Sequence, residues 1–247
     1  MSAGDGTADE LPLGSGPRTG QERAPLFVVL DGIDGCGKTT QAARLVEWLR
    51  QGKLGADPVH LREPGSTALG ERLREMLLDP SARIGRGSLA LLFTAARRQT
   101  LEELVAPALA DGRDVVIERF HASTFAYQGG PPPLDEVGAF GEPKLLELLR
   151  GWAGAPAPTH EIVLDIDPED SFARALAREG GGADRFESLG LEFQQRVARA
   201  MRKYVELVPT AALVDARGTE DEVALGVRNA VTGPRTGAAF AGGPHGR

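Results

Sequence analysis

The sequence is short of three things: cysteine, long apolar runs and basic charge. Its 247 residues include one cysteine, Cys36, so no disulfide can form within the chain and we expect a protein of a reducing compartment, the cytoplasm. No run approaches the roughly 18 apolar residues of a membrane span, and the first residues lack the order of a secretory signal, so we expect no membrane partner. The net charge of −7 argues against a nucleic-acid partner, because nucleic-acid binders usually carry a basic face.

Residues 26–41 combine an apolar strand, a glycine-rich turn and the first turn of a helix. The turn fits G-x-x-x-x-G-K-[ST], a pattern whose backbone N–H groups surround phosphate oxygens; the alternative is a chance glycine-rich turn. Lys38 would bring a positive charge to the β and γ phosphates of ATP, and Thr39 would offer its hydroxyl to Mg²⁺. The predicted ATP-binding residues are those of this turn and the helix start: Gly32, Ile33, Asp34, Gly35, Cys36, Gly37, Lys38, Thr39 and Thr40.

Composition separates a long central domain from two short ends. Residues 1–24 and 232–247 are rich in Gly, Pro, Ser, Thr and charge, which predicts a disordered leader and a disordered tail. In residues 25–231, short apolar strands alternate with helical patterns. This alternation predicts an α/β fold of the P-loop NTPase type, with a parallel five-stranded sheet sandwiched by helices and a small lid at about 174–188.

Charged side chains follow two of the predicted strands. Arg62 and Glu63 end a strand at 59–62, and Arg119 follows a strand at 114–118. Because ligands of open α/β sheets bind at the carboxyl edge, both arginines are candidates for an anionic ligand. A surface turn with incidental charges is the alternative for the first of them.

Two helical segments carry further candidates. Phe93 and Arg97 are four positions apart, so an aromatic plane and a guanidinium could grip one flat heterocycle, although an aromatic at this spacing is more often core. Ser66 is expected to cap the helix that follows it, and His121 is expected to be exposed. A short helix over 121–128 brings polar residues near the same edge: Ser123, Thr124, Tyr127 and Gln128.

A glycine-rich segment flanked by arginines suits a moving lid. Arginines brought over a transferring phosphoryl group would neutralise charge and exclude water, whereas the alternative is a solvated connector. Asp167, just before this segment's first helix, is expected to cap that helix, and the alternative is a carboxylate that assists Mg²⁺. The charged candidates of the lid are Arg174, Arg178, Arg185 and Glu187.

Five motifs in order resemble the thymidylate kinase family, whose members transfer the γ-phosphoryl group of ATP to dTMP. The motifs cover residues 32–41, 62–67, 91–97, 118–128 and 164–168, with the arginine-rich lid after them. The resemblance implies a dTMP kinase that uses ATP and Mg²⁺, makes dTDP for dTTP synthesis, and forms a homodimer.

The resemblance also implies roles for individual residues. It places Arg62 and Arg119 near the dTMP phosphate, Phe93 on the thymine face, Arg97 at the base edge, Tyr127 against a ribose 2′-hydroxyl, and Thr124 and Gln128 around the base. It assigns metal positions to Thr39 and Asp34, and to Glu187. Gly35 replaces the loop arginine of one subtype, so the catalytic arginines are expected in the lid. The implied catalytic residues are Asp34, Lys38, Arg119, Arg174, Arg178 and Arg185.

Two motifs depart from the family pattern. Glu118-Arg119-Phe120 replaces the usual Asp-Arg-Tyr/His, and Ser66 replaces the second glycine of Pro-Gly-Gly-Thr. Neither change removes a group that phosphoryl transfer needs, but both could alter the choice of acceptor. The alternatives are therefore a kinase of another or modified nucleoside monophosphate, a non-catalytic nucleotide-binding regulator, and a nucleic-acid-dependent ATPase.

Overall fold

The computed structural model describes residues 23–52, 57–129, 142–152, 155–176, 186 and 189–233. Within them, five strands pair in parallel in the order β2-β3-β1-β4-β5. The predicted fold, a parallel five-stranded sheet flanked by helices, is confirmed. The strands are β1 (Phe27–Gly32), β2 (Val59–Arg62), β3 (Val115–Glu118), β4 (His160–Asp165) and β5 (Ala211–Asp215).

Helices connect successive strands and cover the sheet. Helix α1 packs against α9, α2 against α3, and α5 against α8. None of the described helices is long and apolar enough to cross a membrane. The helices are α1 (Lys38–Gly52), α2 (Ala68–Leu78), α3 (Arg86–Thr100), α4 (Ala106–Ala110), α5 (His121–Gly129), α6 (Glu142–Glu147), α7 (Pro168–Leu176), α8 (Gly190–Leu207) and α9 (Glu220–Thr232).

The central strand β1 is buried along its whole length. Val28 and Leu30 belong to one cluster of buried side chains, whereas Phe27 and Val29 belong to another. Successive side chains of a strand point to opposite faces, so a continuous apolar run is needed to fill both. The loop after β1 therefore starts from the most rigid part of the domain.

A π-helical turn lies just before Pro107. Leu101–Val105 is π-helical and joins α3 to α4, and the Ala106 N–H bonds to the Leu101 carbonyl. Proline has no N–H, so the usual α-helical bond from position 107 cannot form. The wider turn just before it lets the helical stretch continue past the proline.

The folded domain begins earlier in the chain than the sequence predicts. Arg23, which the sequence placed in the leader, donates two hydrogen bonds of 3.0 and 2.6 Å to the buried Asp114 carboxylate. The folded domain therefore includes residue 23. The predicted leader before it, the tail from 234, and lid residues 177–185, 187 and 188 lie outside the described residues.

One predicted helix cap is wrong and another is confirmed. Thr67, not Ser66, caps α2: its hydroxyl accepts the Gly70 N–H at 2.9 Å. The Ser66 hydroxyl instead accepts the Arg62 N–H at 3.0 Å, inside the turn itself. Asp167 caps α7 as predicted, since its carboxylate accepts the Glu169 N–H at 3.0 Å.

Candidate active site

A cavity of about 560 Å³ opens at the carboxyl edge of the sheet, over β1, β2 and β3. It brings together side chains from the loop after β1, the turn after β2, α3, and the β3–α5 connection. Every predicted substrate-binding residue lines it: Arg62, Phe93, Arg97, Arg119, Thr124, Tyr127 and Gln128. The phosphate loop contributes Asp34, Gly37, Lys38, Thr39 and Thr40, while Gly32, Ile33, Gly35 and Cys36 form the loop behind them.

The phosphate loop has the backbone that its glycines permit. Gly32 has φ of +146°, and a Cβ atom there would lie 2.6 Å from the Cys36 Sγ and 2.8 Å from a β4 carbonyl. No other residue fits that position. The Lys38 ammonium folds over the loop and donates to the Gly32 and Ile33 carbonyls at 3.1 and 2.8 Å. Its charge is thus held within the cavity wall.

Arg119 sits directly after β3 in the left-handed backbone region, with φ of +65°. Such a conformation is uncommon for a residue with a side chain and tends to occur at functional sites. Its guanidinium forms an ion pair with Asp34 and donates to the Ser123 hydroxyl at 3.0 Å. Burial lowers the pKa of Arg119, but the Asp34 charge outweighs it and the pKa is raised.

Asp34 is the acceptor of several donors. Besides Arg119, it accepts the Tyr127 hydroxyl at 2.8 Å and a hydrogen bond from Gln194 of α8. Burial raises the pKa of Asp34, but the charges of Arg119 and Lys38 and these hydrogen bonds lower it to about 2. The carboxylate stays ionised and holds Arg119 in place.

A second buried ion pair lies at the other end of the cavity. Arg97 donates from Nε to Glu63 at 2.7 Å, and from Nη2 to the Phe120 carbonyl and the Thr124 hydroxyl at 2.9 and 3.1 Å. Its guanidinium also lies 4.8 Å from the centroid of the Phe120 ring. Burial raises the pKa of Glu63 to about 7, and the attraction of Arg97 offsets only part of that rise.

Several buried polar atoms around the Arg97–Glu63 pair have no hydrogen-bond partner in the part of the chain that the structure describes. Among the described residues, Arg97 Nη1, Glu63 Oε1 and Gln128 Nε2 are buried without a hydrogen-bond partner. Buried polar atoms are rarely left unpaired in proteins, so a ligand is a natural partner for them. Two of the three are donors, which suits a base that presents carbonyl oxygens.

Aromatic rings form one wall of this end. The Phe93 ring lies 6.1 Å from Phe186, which in turn meets Tyr127 edge-on at 5.4 Å. Phe93 is only partly buried and borders the cavity. The proposed grip of an aromatic ring and a guanidinium on one heterocycle is thus sterically reasonable, since Phe93 and Arg97 face the same space.

Oxygen donors for a cation meet near the start of α1. The Thr39 hydroxyl donates to Glu118 at 2.6 Å, and the other Glu118 oxygen lies 2.9 Å from His60 Nε2. Burial raises the pKa of Glu118, but the hydrogen bonds from His60 and Thr39 outweigh it and the pKa is lowered. No three His, Cys, Asp or Glu side chains cage a metal in the described part. Mg²⁺ in kinases needs only one or two protein oxygens and the phosphates, so Thr39 and Glu118 fit it.

Of the charged lid candidates, Arg174 alone is among the described residues. Arg174 is exposed on α7 and does not line the cavity. Arg178, Arg185 and Glu187 lie outside the described residues.

The predicted exposure of His121 is wrong: its side chain is buried and stacks on Phe120 with centroids 4.0 Å apart. Burial, followed by the charges of Arg97 and Arg150, lowers the pKa of His121 well below its usual value.

Several site residues are not among those that the sequence predicts. Glu63 lies at a predicted strand end without a predicted role, and Glu118 enters only as a departure from a motif. Gln194 and Phe186 have no local signal, because their partners lie far away in the chain. For His60 the available signal is its position two residues before Arg62 on one strand.

Comparisons with known proteins agree with this geometry. The family model described as thymidylate kinase matches residues 30–224. The chain belongs to the thymidylate kinase family. The predicted family and the predicted activity, phosphorylation of dTMP by ATP, are therefore confirmed.

Individual members of the family are similar over most of the chain. A thymidylate kinase of Jannaschia sp. (strain CCS1) is 42% identical over 210 residues, which are 84% of this chain and 96% of that protein. One of Neisseria gonorrhoeae (strain NCCP11945) is 38% identical over 214 residues, or 85% and 97%. The crystal structure of the Ehrlichia chaffeensis thymidylate kinase, at 25% identity, covers 85% of this chain and 99% of its own with a TM-score of 0.65.

Proposed function

We propose that the cavity holds dTMP with its phosphate between Arg62 and Arg119 and its base between Phe93 and Arg97, in line with ATP on the phosphate loop. One observation carries this assignment: the phosphate loop and all the predicted acceptor-binding residues line the same continuous cavity. The product of such an arrangement is dTDP, with ADP released.

At the phosphate end, catalysis rests on position and charge. An acceptor phosphate is already largely ionised at neutral pH, so the reaction needs no strong general base. Lys38 and Arg119 neutralise charge that spreads over the transferring group, and the pairing with Asp34 keeps Arg119 oriented before substrate arrives. The lid arginines Arg174, Arg178 and Arg185 remain proposed catalytic residues of the same kind.

At the base end, specificity rests on hydrogen-bond direction. Arg97 Nη1 and Gln128 Nε2 are both donors, and thymine presents carbonyl oxygens to donors. A base with an amino group at the same place would set donor against donor and leave buried groups unpaired. Tyr127, whose hydroxyl is fixed by Asp34 and whose ring is packed by Phe186, is proposed to exclude a ribose 2′-hydroxyl.

Mg²⁺ is proposed as the cofactor, held by the Thr39 hydroxyl, whose hydrogen Glu118 accepts, together with the phosphates of ATP. Bound there, the ion would neutralise charge on the β and γ phosphates. Asp34, which the resemblance also offered as a metal position, has its carboxylate engaged by Arg119 and Tyr127. We therefore assign Asp34 to orienting Arg119.

A homodimer is also part of the proposal, and α2 and α3 are the proposed contact surface. Leu69 and Met76 of α2 are 45% and 41% exposed, and Leu91 of α3 is 51% exposed. Apolar side chains grouped on neighbouring helices commonly mark an interface. Light scattering should give twice the monomer mass, and Leu69→Glu with Leu91→Glu should halve it.

We likewise propose a cytoplasmic location, which cell fractionation tests.

The experiment that tests the function is the rate of ADP formation from ATP and Mg²⁺ with dTMP, dUMP, UMP, CMP and AMP in parallel. We expect strong preference for dTMP and no activity with Lys38→Ala. Turnover of another monophosphate with no preference for dTMP would contradict the acceptor, and full activity of Lys38→Ala would contradict the mechanism. ATP hydrolysis stimulated by DNA or RNA instead of a monophosphate would contradict both.

A further inference from the structure

His60 stands at the edge of the site without a role in the mechanism above. It lies on β2 two residues before Arg62, and β2 pairs in parallel with β3 so that Arg62 is opposite Glu118. Because side chains alternate along a strand, His60, Arg62 and Glu118 share one face of the sheet. Thus His60 lies diagonally across from Glu118, within reach of its carboxylate.

The contact forms a chain of two hydrogen bonds that ends at the phosphate loop. His60 Nε2 lies 2.9 Å from one Glu118 oxygen, and the other oxygen accepts the Thr39 hydroxyl at 2.6 Å. The Glu118 side chain is 13% exposed and the His60 side chain 33% exposed. Both oxygens of the Glu118 carboxylate are therefore hydrogen-bonded, in a site that is largely shielded from solvent.

We propose that His60 is a positioning residue that fixes Glu118, so that Glu118 fixes the hydroxyl hydrogen of Thr39 and leaves its lone pairs free for the cation of ATP·Mg²⁺. The inference rests on the proposed use of Mg²⁺ at Thr39. It adds a residue that the phosphate-loop pattern does not contain.

The chemistry of a hydroxyl group explains why such a chain matters. The Thr39 hydroxyl has one hydrogen and two lone pairs, so it can serve a cation only while its hydrogen points to an acceptor. Glu118 is that acceptor. A glutamate held by one oxygen can still swing about its side-chain torsions, and the bond to His60 removes that freedom. Partners that orient metal ligands in this way commonly change metal affinity by about 10–100-fold.

A merely structural role would give a different outcome. His60 is at the sheet edge and one third exposed, so loss of its ring should have little effect on folding. Its removal should instead loosen Glu118 and weaken cation binding specifically. This separation is measurable, because nucleotide can be bound with or without a divalent ion.

The test compares His60→Phe, which keeps a ring without the N–H, with His60→Gln, which restores a donor. Mn²⁺ binding to the enzyme with a non-hydrolysable ATP analogue is followed by electron paramagnetic resonance. We expect Mn²⁺ affinity to fall about 10-fold in His60→Phe and less than about 3-fold in His60→Gln. Affinity for the analogue in EDTA should stay unchanged in both variants.

A matched control is the histidine at the start of β4. His160 bonds to the Thr159 hydroxyl at the amino end of β4, the end of the sheet away from the phosphate loop, so His160→Gln should leave Mn²⁺ affinity unchanged. Equal Mn²⁺ affinity in wild type and His60→Phe would overturn the proposal. So would equal losses in His60→Phe and His60→Gln, or a loss of the same size in EDTA. None of these readouts needs dTMP turnover, so a wrong acceptor would leave the test intact.

Discussion

Arg119–Asp34 and Arg97–Glu63 are arginine–carboxylate pairs lining one cavity, the first partly buried and the second almost fully buried, yet the pKa values of their carboxylates are shifted in opposite directions. The pKa of Asp34 is lowered from 3.8 to about 2, whereas that of Glu63 is raised from 4.5 to about 7. Burial raises the pKa of both. The difference comes from what surrounds each carboxylate.

Asp34 has more donors than Glu63. Tyr127, Gln194 and the Lys38 charge add to its pairing with Arg119. Glu63 has the Arg97 bond on one oxygen, no described partner on the other, and the charge of Asp31 nearby. One partner does not offset the cost of burying the Glu63 carboxylate, so its pKa rises. Several partners offset that cost at Asp34, so its pKa falls.

The contrast matches what each end must hold. A permanently charged, fully bonded pair keeps Arg119 rigid at the end where phosphate charge must be neutralised. The Glu63 carboxyl group, whose pKa is raised to about 7, lies at the end that meets an uncharged base, where unpaired donors can bond to carbonyl oxygens. Charge neutralisation is the main contribution of the phosphate end, and the direction of hydrogen bonds is the main contribution of the base end.

The largest expected effect comes from breaking the phosphate-end pair. Arg119→Ala removes a cation from the transfer site and leaves Asp34 partly buried and ionised without its ion-pair partner. We expect kcat with dTMP to fall about 1,000-fold. Arg113→Ala, a change at an exposed arginine bonded to the Asp57 carbonyl, is the control and should keep wild-type kcat. A rise in KM with kcat unchanged would contradict the assignment of Arg119 to the transfer step.

Breaking the base-end pair should act on binding instead. Arg97→Ala removes the donor at the base edge, but Glu63 can take up a proton and so need not remain charged. We expect KM for dTMP to rise about 30–100-fold, as for loss of a charged hydrogen bond of about 2–3 kcal/mol, with kcat changed less. The neighbouring Arg98→Ala, which loses an exposed pair with Glu102 and an exposed hydrogen bond to the Ala155 carbonyl, should match wild type in steady-state kinetics.

The pH dependence of stability should differ between the two carboxylates. The folded pKa of Glu63 exceeds its unfolded value, so its contribution to stability falls as pH rises from about 4.5 to about 7 and is constant above. Thermal unfolding should therefore show wild type losing several degrees of Tm relative to Glu63→Gln over this window.

Asp34→Asn is the matched control for that measurement. The lowered pKa of Asp34 confers stability that is lost only as pH falls from about 3.8 toward about 2. Its Tm difference from wild type should thus stay constant between about pH 5 and 8. A Glu63→Gln difference that is equally constant would show that the two carboxylates behave alike.

The smallest effect is expected where one of several donors is lost. Tyr127→Phe removes a single hydrogen bond to Asp34 and keeps the ring that packs on Phe186. A loss of about 1 kcal/mol corresponds to a fall of about 5-fold in kcat/KM. A fall as large as that of Arg119→Ala would mean that Asp34 depends on Tyr127 more than on its ion pair.

The sequence predicted what local patterns encode. The phosphate loop, the five strands and the acceptor residues follow from spacing, apolar runs and motif order, and all of the acceptor residues meet in the cavity.

The partners of those residues could not be predicted in the same way. Glu63 meets Arg97 only because folding brings the turn after β2 to α3, and Asp34 meets Gln194 across 160 positions of chain. His121 has polar neighbours in sequence but is buried in the folded domain, so local polarity misled the prediction. The cap at Thr67 rather than Ser66 depends on a single turn, which composition does not resolve.

The central claim, that the two ends of the cavity do different work, is tested most directly by acceptor selectivity. The measurement is the ratio of kcat/KM for dTMP to that for dCMP in wild type, Arg97→Ala and Arg119→Ala. We expect Arg97→Ala to lower the ratio at least about 10-fold and Arg119→Ala to slow both acceptors equally, leaving the ratio unchanged. An unchanged ratio in Arg97→Ala, or a collapsed ratio in Arg119→Ala, would contradict the account.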